Sequence, residues 1–378
     1  MSNARVESLP PIEQEFVDRK RHAWLLSVVY PLFPVAAVAA HALTGQEWWF
    51  ITPLLLAYGL VPLLDHALGE DPTNPPESKV AELEADHYYR LLTWLTVPGH
   101  VLALIVAVAY ATTAGLSWAG WLLLVLITGL ASGLAINTAH EMGHKKGRVD
   151  QWLARLALAV PVYGHFTTEH NFGHHKDVAT PGDSASARMG ESVYRFALRD
   201  MPGGLTRAWR IESQRLARRG RSRWSLHSTI VQSWLMSLIL QGSLILLLGW
   251  PALAFLLIHN LVAWFQLTSA NYVEHYGLLR ARDADGCFER CQPHHSWNSN
   301  HIASNLLLFH LERHSDHHAN PARSYQSLRD FENVPRLPSG YFGMFLLAWV
   351  PPLWFRVMDP RLLALPHVQG DRSRINRG

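Results

Sequence analysis

Histidine is concentrated in three short stretches of this sequence: His140-Glu141-Met142-Gly143-His144, Glu169-His170-Asn171-Phe172-Gly173-His174-His175 and His314-Ser315-Asp316-His317-His318. Residues four apart on a helix share a face, so the pairs His140/His144, His170/His174 and His314/His318 each present two imidazoles together. His175 and His317 add a ring to their boxes, and His275 stands alone in Asn-Tyr-Val-Glu-His-Tyr-Gly. Neutral imidazole suits iron, copper or zinc. A single histidine is more often a surface or hydrogen-bonded residue than a ligand, but three boxes of them have no packing advantage. Eight box imidazoles plus His275 exceed what one tetrahedral zinc needs and suit two metals. Iron is the expected identity, because redox-silent zinc cannot activate dioxygen. Neutral rings leave the metal charge uncompensated, so nearby carboxylates are expected behind them to orient them. Glu141, Glu169, Asp177, Glu274, Glu312 and Asp316 are the candidates, although each can equally be a solvated surface charge.

The first box also satisfies H-E-x-x-H, in which Glu141 would be the general base of a zinc protease. Such a protease needs one further ligand and leaves the other boxes unexplained. A metal transporter is a weaker fit, since its ligands belong near the bilayer midplane.

The elements that must carry these rings are apolar. Of 378 residues 49% are hydrophobic and only 17% charged, with no Lys or Arg in 22–78, 91–144 or 224–279. Each gap is long enough for a hairpin of two membrane-spanning helices. The expected spans are 24–43, 48–64, 93–114, 117–138, 229–248 and 251–270, giving an all-α integral membrane fold. Cations crowd the opposite ends in Arg19-Lys20-Arg21, Lys145-Lys146 and Arg218-Arg219, so the positive-inside rule places both termini and the segments 65–90, 141–226 and 271–378 in the cytoplasm. Those segments form a helical cap holding the histidines, and the whole chain reads as a single membrane-embedded catalytic domain. Ser78–Leu92 has the spacing of one amphipathic helix, and 341–355, short and interrupted by Pro351-Pro352, reads as a helix on the membrane surface. The polar N-terminus lacks the pattern of a signal peptide. Cys287 and Cys291 cannot build a disulfide framework and read as incidental. The net charge of +3 carries no nucleic-acid signal, and neither repeats nor low-complexity tracts occur.

Beyond the boxes, NTAHEMGHKK, EHNFGHHKDVATP, NYVEHYG and LERHSDHH, together with GEDPTNPP, PHHSWNSNH and RSYQSLRDF, resemble the membrane-bound alkane 1-monooxygenases over nearly the whole chain. The three boxes alone are shared with membrane fatty-acid desaturases and hydroxylases; NYVEHYG and the end of the third box are similar to the narrower alkane and xylene hydroxylase branch. The resemblance implies six spanning helices and a non-haem di-iron centre held by His140, His144, His170, His174, His175, His275, His314, His317 and His318. It also implies a bacterial inner-membrane location and electrons from rubredoxin, reduced by an NAD(P)H-dependent rubredoxin reductase. The expected reaction hydroxylates the terminal methyl of a medium- to long-chain n-alkane with dioxygen; a xylene or fatty acyl substrate is the alternative. The CFERC stretch departs from the family pattern.

An alkane offers no polar handle, so terminal selectivity must come from a narrow apolar tunnel open to lipid. Ala57, Leu60 and Leu64, on one face of the second span, and Leu134 in the fourth are its expected lining. Gly129, Ala131, Ser132, Gly133 and Ala135 leave space for it or permit close helix packing. Basic stretches 215–223 and Arg280-Ala281-Arg282 are candidates for docking an acidic carrier, though cations beside spans also arise from topology and lipid contact.

Overall fold

The computed structural model describes residues 16–378; the polar stretch read above as lacking a signal peptide begins outside them. Six helices are long and apolar enough to cross a membrane: α1 (Leu25–Thr44), α2 (Glu47–Leu68), α4 (His87–Thr113), α5 (Trp118–Gly143), α9 (Thr229–Leu248) and α10 (Trp250–His275). Among the described residues the rest is helix and loop, with isolated bridges but no strand. This is an all-helical, multi-pass membrane protein. Left-handed glycines turn two of its hairpins, Gly45 (φ 70°) after α1 and Gly249 (φ 75°) before α10, a conformation in which a Cβ would clash.

Burial ranks the spans. α5 and α10 are 67% and 56% buried over their most apolar stretch, against 22% for α2 and 28% for α9, so the first pair is the centre of the bundle. Outward residues such as Leu63, Leu246 and Leu247 are exposed, as suits a lipid-facing surface. The central pair is close because its small residues allow it: a Cβ on Gly129 would stand 2.7 Å from Val262 Cβ, and one on Gly133 2.6 Å from Gln266 Cγ.

The sequence-expected helix 78–92 is two helices, α3 (Glu77–Ala85) and the start of α4. Asp86 divides them, because its carboxylate accepts the N–H of Tyr88 at 2.8 Å and caps α4. The spans thus run past their expected ends: α4 starts at His87, α5 ends at Gly143 and α10 at His275, carrying His140 and His275 on rigid helix.

At that end of the bundle lie α6 (Arg148–Ala159), α7, made of the consecutive segments Phe166–Glu169, His170–His174 and His175–Asp177, α8 (Val193–Ala217), α11 (Ile302–Leu307) and α12 (His314–Ala319). The chain closes with α13 (Tyr341–Ala348) and α14 (Pro351–Leu363), bent by 118°. The single surface helix expected over 341–355 is therefore corrected. Pro351 and Pro352 lack the N–H that would continue α13, yet suit the first turn of α14. α13 is no surface element either, since Tyr341, Phe342, Met344, Phe345 and Ala348 are buried in the core.

Three motifs without an obvious role in sequence converge on α12. Asn298 of PHHSWNSNH accepts the Ser315 N–H at 2.8 Å, while the neighbouring Trp297 donates its main-chain N–H to Glu274 O at 2.8 Å and its indole N–H to Tyr276 O at 2.9 Å. Arg313, just before α12, donates to the carbonyls of Asp71 (2.7 Å) and Thr73 (3.0 Å) in GEDPTNPP. In RSYQSLRDF, Arg323 pairs with Asp316 at 3.1 Å and Arg329 N–H donates to it at 2.8 Å. A six-residue helix is too short to hold its own register, so these contacts set it.

Gly129→Ala should destabilise the bundle by about 1–3 kcal/mol through overpacking against Val262, read as a lower thermal midpoint in detergent. An unchanged midpoint would mean that α5 and α10 do not approach this closely.

Candidate metal centre

The nine imidazoles singled out from sequence gather in two adjacent groups, His140, His144, His170, His175 and His317 in one, His174, His275, His314 and His318 in the other. Within each group one ligand atom per residue lies within 4.8 Å of all the others. Four helices supply them: α5 carries His140 in its last turn and is capped by His144, α7 carries His170, His174 and His175, α10 ends in His275, and α12 carries the rest.

Both three-histidine boxes are split between the groups. In α7 the His175 N–H bonds to the His170 carbonyl, a π turn that widens the helix. His170 and His175, five apart, thereby meet with Nε2 atoms 2.9 Å apart, while His174 turns to the second group. In α12, His314 and His318 keep the i, i+4 relation with Nε2 atoms 3.0 Å apart, and His317 points to the first group.

The distances fit metal ions. Nitrogens each ~2.1 Å from one ion stand about 3.0 Å apart at a right angle and about 3.4 Å apart at a tetrahedral one. His317 Nε2 lies 2.9 Å from His140 Nε2, 3.1 Å from His175 Nε2 and 3.4 Å from His170 Nε2. One ring nitrogen has a single proton or lone pair, so it cannot satisfy three neighbours by hydrogen bonding. Converging lone pairs repel unless a cation lies among them. His314 Nε2 repeats the pattern, 3.1 Å from His275 Nε2, 3.0 Å from His318 Nε2 and 3.4 Å from Glu274 Oε2. His144 Nε2 is buried with no protein partner. Burial, reinforced by neighbouring imidazoles, holds His170, His175, His314, His317 and His318 well below the usual imidazole range, so these rings are neutral ligands at pH 7.

Two contacts set ring tautomers. His174 donates from Nδ1 to Asp183 Oδ2 at 2.9 Å, and His275 from Nδ1 to the His295 carbonyl at 3.2 Å, which leaves Nε2 of each free for a metal. Sequence reasoning missed Asp183. The only signal was its position in Gly182-Asp183-Ser184, close after the second box. Arg207 of α8 was also missed: it lies 3.0 Å from Asp183 and 3.6 Å from Glu169, and pairs with Asp177.

The carboxylates expected to orient the rings are placed otherwise. Glu141 pairs with Lys145 at 3.1 Å, Asp177 with Arg207, and Asp316 with Arg323, while Glu312 accepts the Tyr341 N–H at 2.7 Å. They brace the segments that carry the rings. Glu169 lies beside Arg207, and Glu274 alone among the six closes on a ring nitrogen. With Glu141 held by Lys145 and five imidazoles gathered around its box, the zinc-protease arrangement does not form.

Outside both groups, Glu289, His294 and His295 also cluster. There His295 Nδ1 accepts the Gln292 N–H at 2.9 Å, which puts the ring proton on Nε2, 3.3 Å from Glu289 Oε1. With its proton on the nitrogen that faces Glu289, the His295 ring does not offer that nitrogen to a metal. Cys287 is exposed and Cys291 half-buried nearby.

A narrow cavity runs between α5 and α10 to both groups, reaching His140, His170 and His314. Its walls are largely apolar, with Leu134, Phe166, Leu267, Leu308, Leu311 and Phe345 among them. Leu134 lines this cavity, whereas Ala57, Leu60 and Leu64 do not. Ala57 is buried in the core; Leu60 (45% exposed) and Leu64 (37%) face outward. The lining comes from α5, α10 and the segments beyond them, and α2 contributes none of it.

Asp183→Asn should weaken iron binding about 10–100-fold, the usual effect of losing a ring-orienting partner, and His317→Ala should strip iron from the first group. His294→Ala should leave metal content unchanged. Elemental analysis of purified protein decides, and full iron occupancy in D183N at limiting iron would remove Asp183 from this role.

Comparison with known proteins places this geometry. Residues 116–348, which hold all nine imidazoles, match the fatty acid desaturase family model. The chain is 53% identical over 361 residues to alkane 1-monooxygenase 1 of Alcanivorax borkumensis, covering 95% of this chain and 89% of that one. It is 53% identical over 350 residues to alkane 1-monooxygenase of Ectopseudomonas oleovorans, covering 92% and 87%. To the xylene/toluene monooxygenase hydroxylase component of Pseudomonas putida it is 31% identical over 236 residues, 60% of each chain. A continuous match at half of all positions, in a chain whose boxes converge as metal-binding groups, makes this protein a member of the alkane 1-monooxygenase family.

Proposed function

We propose that this protein hydroxylates the terminal methyl of medium- to long-chain n-alkanes, using dioxygen and two electrons from reduced rubredoxin. The balance is RCH3 + O2 + 2 electrons + 2 protons giving RCH2OH + H2O. The observation that carries the reading is the apolar cavity ending on both imidazole groups. The alkane 1-monooxygenases among the relatives support the substrate class.

Two irons, one held by His140, His144, His170, His175 and His317 and the other by His174, His275, His314 and His318, supply the redox chemistry that activates dioxygen. The chain positions and shields. Leu134, Phe166 and Phe345 confine an alkane so that its end, and no interior methylene, reaches the imidazoles; hydrophobic contact supplies about 0.8 kcal/mol per buried methylene, without directional preference. Two polar groups on the wall are engaged elsewhere: Gln266 accepts from Tyr58 at 2.8 Å and Asn137 donates to Leu308 O at 2.9 Å.

The cations flanking the spans favour an inner-membrane orientation with the histidines cytoplasmic, where a soluble rubredoxin, reduced in turn by NAD(P)H-dependent rubredoxin reductase, has access. Arg218, Arg219, Arg221 and Arg223 are exposed and suit an acidic carrier. Arg280 is buried and donates to the Lys176 carbonyl at 2.9 Å, so it leaves the docking set.

Purified protein supplied with rubredoxin, its reductase and NADH should convert octane and hexadecane to 1-alkanols and contain about two irons per chain. Products from xylene or a fatty acyl substrate, with none from alkanes, would overturn the reading. Leu134→Phe should lower the hexadecane-to-octane product ratio without loss of iron; an unchanged ratio would remove Leu134 from the substrate path.

A further inference from the structure

Each turnover of the proposed reaction consumes two protons, yet the alkane cavity is walled mostly by apolar side chains. A proton source must lie close by without wetting that cavity. Against its wall sits a smaller chamber with room for about one water molecule, lined by Tyr163, His165, Glu169, His170, His174 and Asp200 among others. Phe166, His170, Leu267 and Asn271 line both spaces, so the two lie back to back. This second chamber is polar and holds an unsatisfied group: His165 Nε2 is buried with no hydrogen-bond partner in the protein. Buried polar atoms of this kind are commonly met by an enclosed water.

Asp200 of α8 is the carboxyl here with no part in holding or orienting an imidazole. It is buried at 4% exposure, and its Oδ2 accepts from Thr268 Oγ1 at 3.0 Å and Asn271 Nδ2 at 3.3 Å. Among the described residues its Oδ1 has no hydrogen-bond partner in the protein. Resting on the hydroxylase reading above, we propose that this chamber holds water and that Asp200 is the proton donor to the oxygen being reduced at the imidazole groups, acting through that water. The carboxyl O–H bond breaks as a proton passes to water and from water to oxygen; the electrons come from the reduced carrier, and bulk solvent restores the carboxyl proton.

The surroundings suit a group that is protonated near neutral pH. Burial pushes the Asp200 carboxyl up to about 7; the Thr268 and Asn271 hydrogen bonds oppose that, Asp183 adds to it and Arg199 opposes it. Glu169, Tyr163 and His165 also face the chamber, and burial drives each of these three toward its neutral form. A general acid poised at the working pH is the most effective kind.

The test uses full-length protein. In the iron-free form, pH-difference infrared spectra should show a protonated-carboxyl band titrating near pH 7 that Asp200→Asn abolishes and Asp200→Glu retains at a shifted position. Loaded with iron and given rubredoxin, its reductase and octane, D200N should keep its iron but lose kcat on the order of 10²-fold, losing also the wild-type dependence on pH, with D200E partly restored. Octanol formation by the wild type tests the hydroxylase reading separately. If the wild type makes octanol while D200N matches its kcat and pH profile, the proposal fails. It fails equally if both variants lose iron and no titrating band exists, since Asp200 would then only pack.

Discussion

Mutual repulsion among nine converging imidazole lone pairs is the constraint from which the rest of the structure follows. Neutral rings brought within about 3 Å of one another at nitrogen are unstable company unless a cation takes up their electron density, and unless each ring is prevented from turning away. The chain meets the second condition with rigid supports. Two spans continue beyond their apolar stretches to carry His140, His144 and His275, and a six-residue helix is pinned from three directions to carry His314, His317 and His318. Loops rich in glycine, proline and asparagine look like connectors in sequence; here they are the clamps.

Polarity is segregated with equal care. Arg207 gathers a knot of carboxylates, pairing with Asp177 and Asp183 and lying 3.6 Å from Glu169. The buried Asp183 carboxylate accepts from His174 Nδ1 at 2.9 Å and from the Ser186 hydroxyl at 2.7 Å, and so fixes that ring. Leucines and phenylalanines wall the neighbouring cavity. The metal groups therefore stand at a boundary between an ionic layer and an apolar one. Chemistry that joins a water-insoluble chain to dioxygen, protons and electrons has a use for both.

The close packing of α5 on α10 links bundle to site. Gly129 draws the helices together, and from Gly133 toward His140 the same axis opens into the cavity. Space is thus removed where only packing is needed and retained where substrate is needed. A stripe of small residues is consistent with either use, and here it serves both at different depths.

Composition and spacing were enough to determine which imidazoles converge and which segments are long and apolar enough to span a membrane, because side-chain chemistry and hydropathy are properties of residues themselves. The gaps in Lys and Arg located the apolar hairpins, and the boxes located the imidazoles that cluster. Partition of the rings between two groups was not determined, since the i, i+4 pattern of His170 and His174 predicts one face while a π turn, created by tertiary packing, sends them apart. The cavity opened between α5 and α10 rather than along α2, so Leu60 and Leu64 fall outside it. Asp183 and Arg207 acquired their roles only from proximity across the fold; in sequence they are ordinary charges. Helical periodicity is a local rule, and it fails where neighbouring elements insert an extra residue into a turn or bring together groups that the chain keeps far apart.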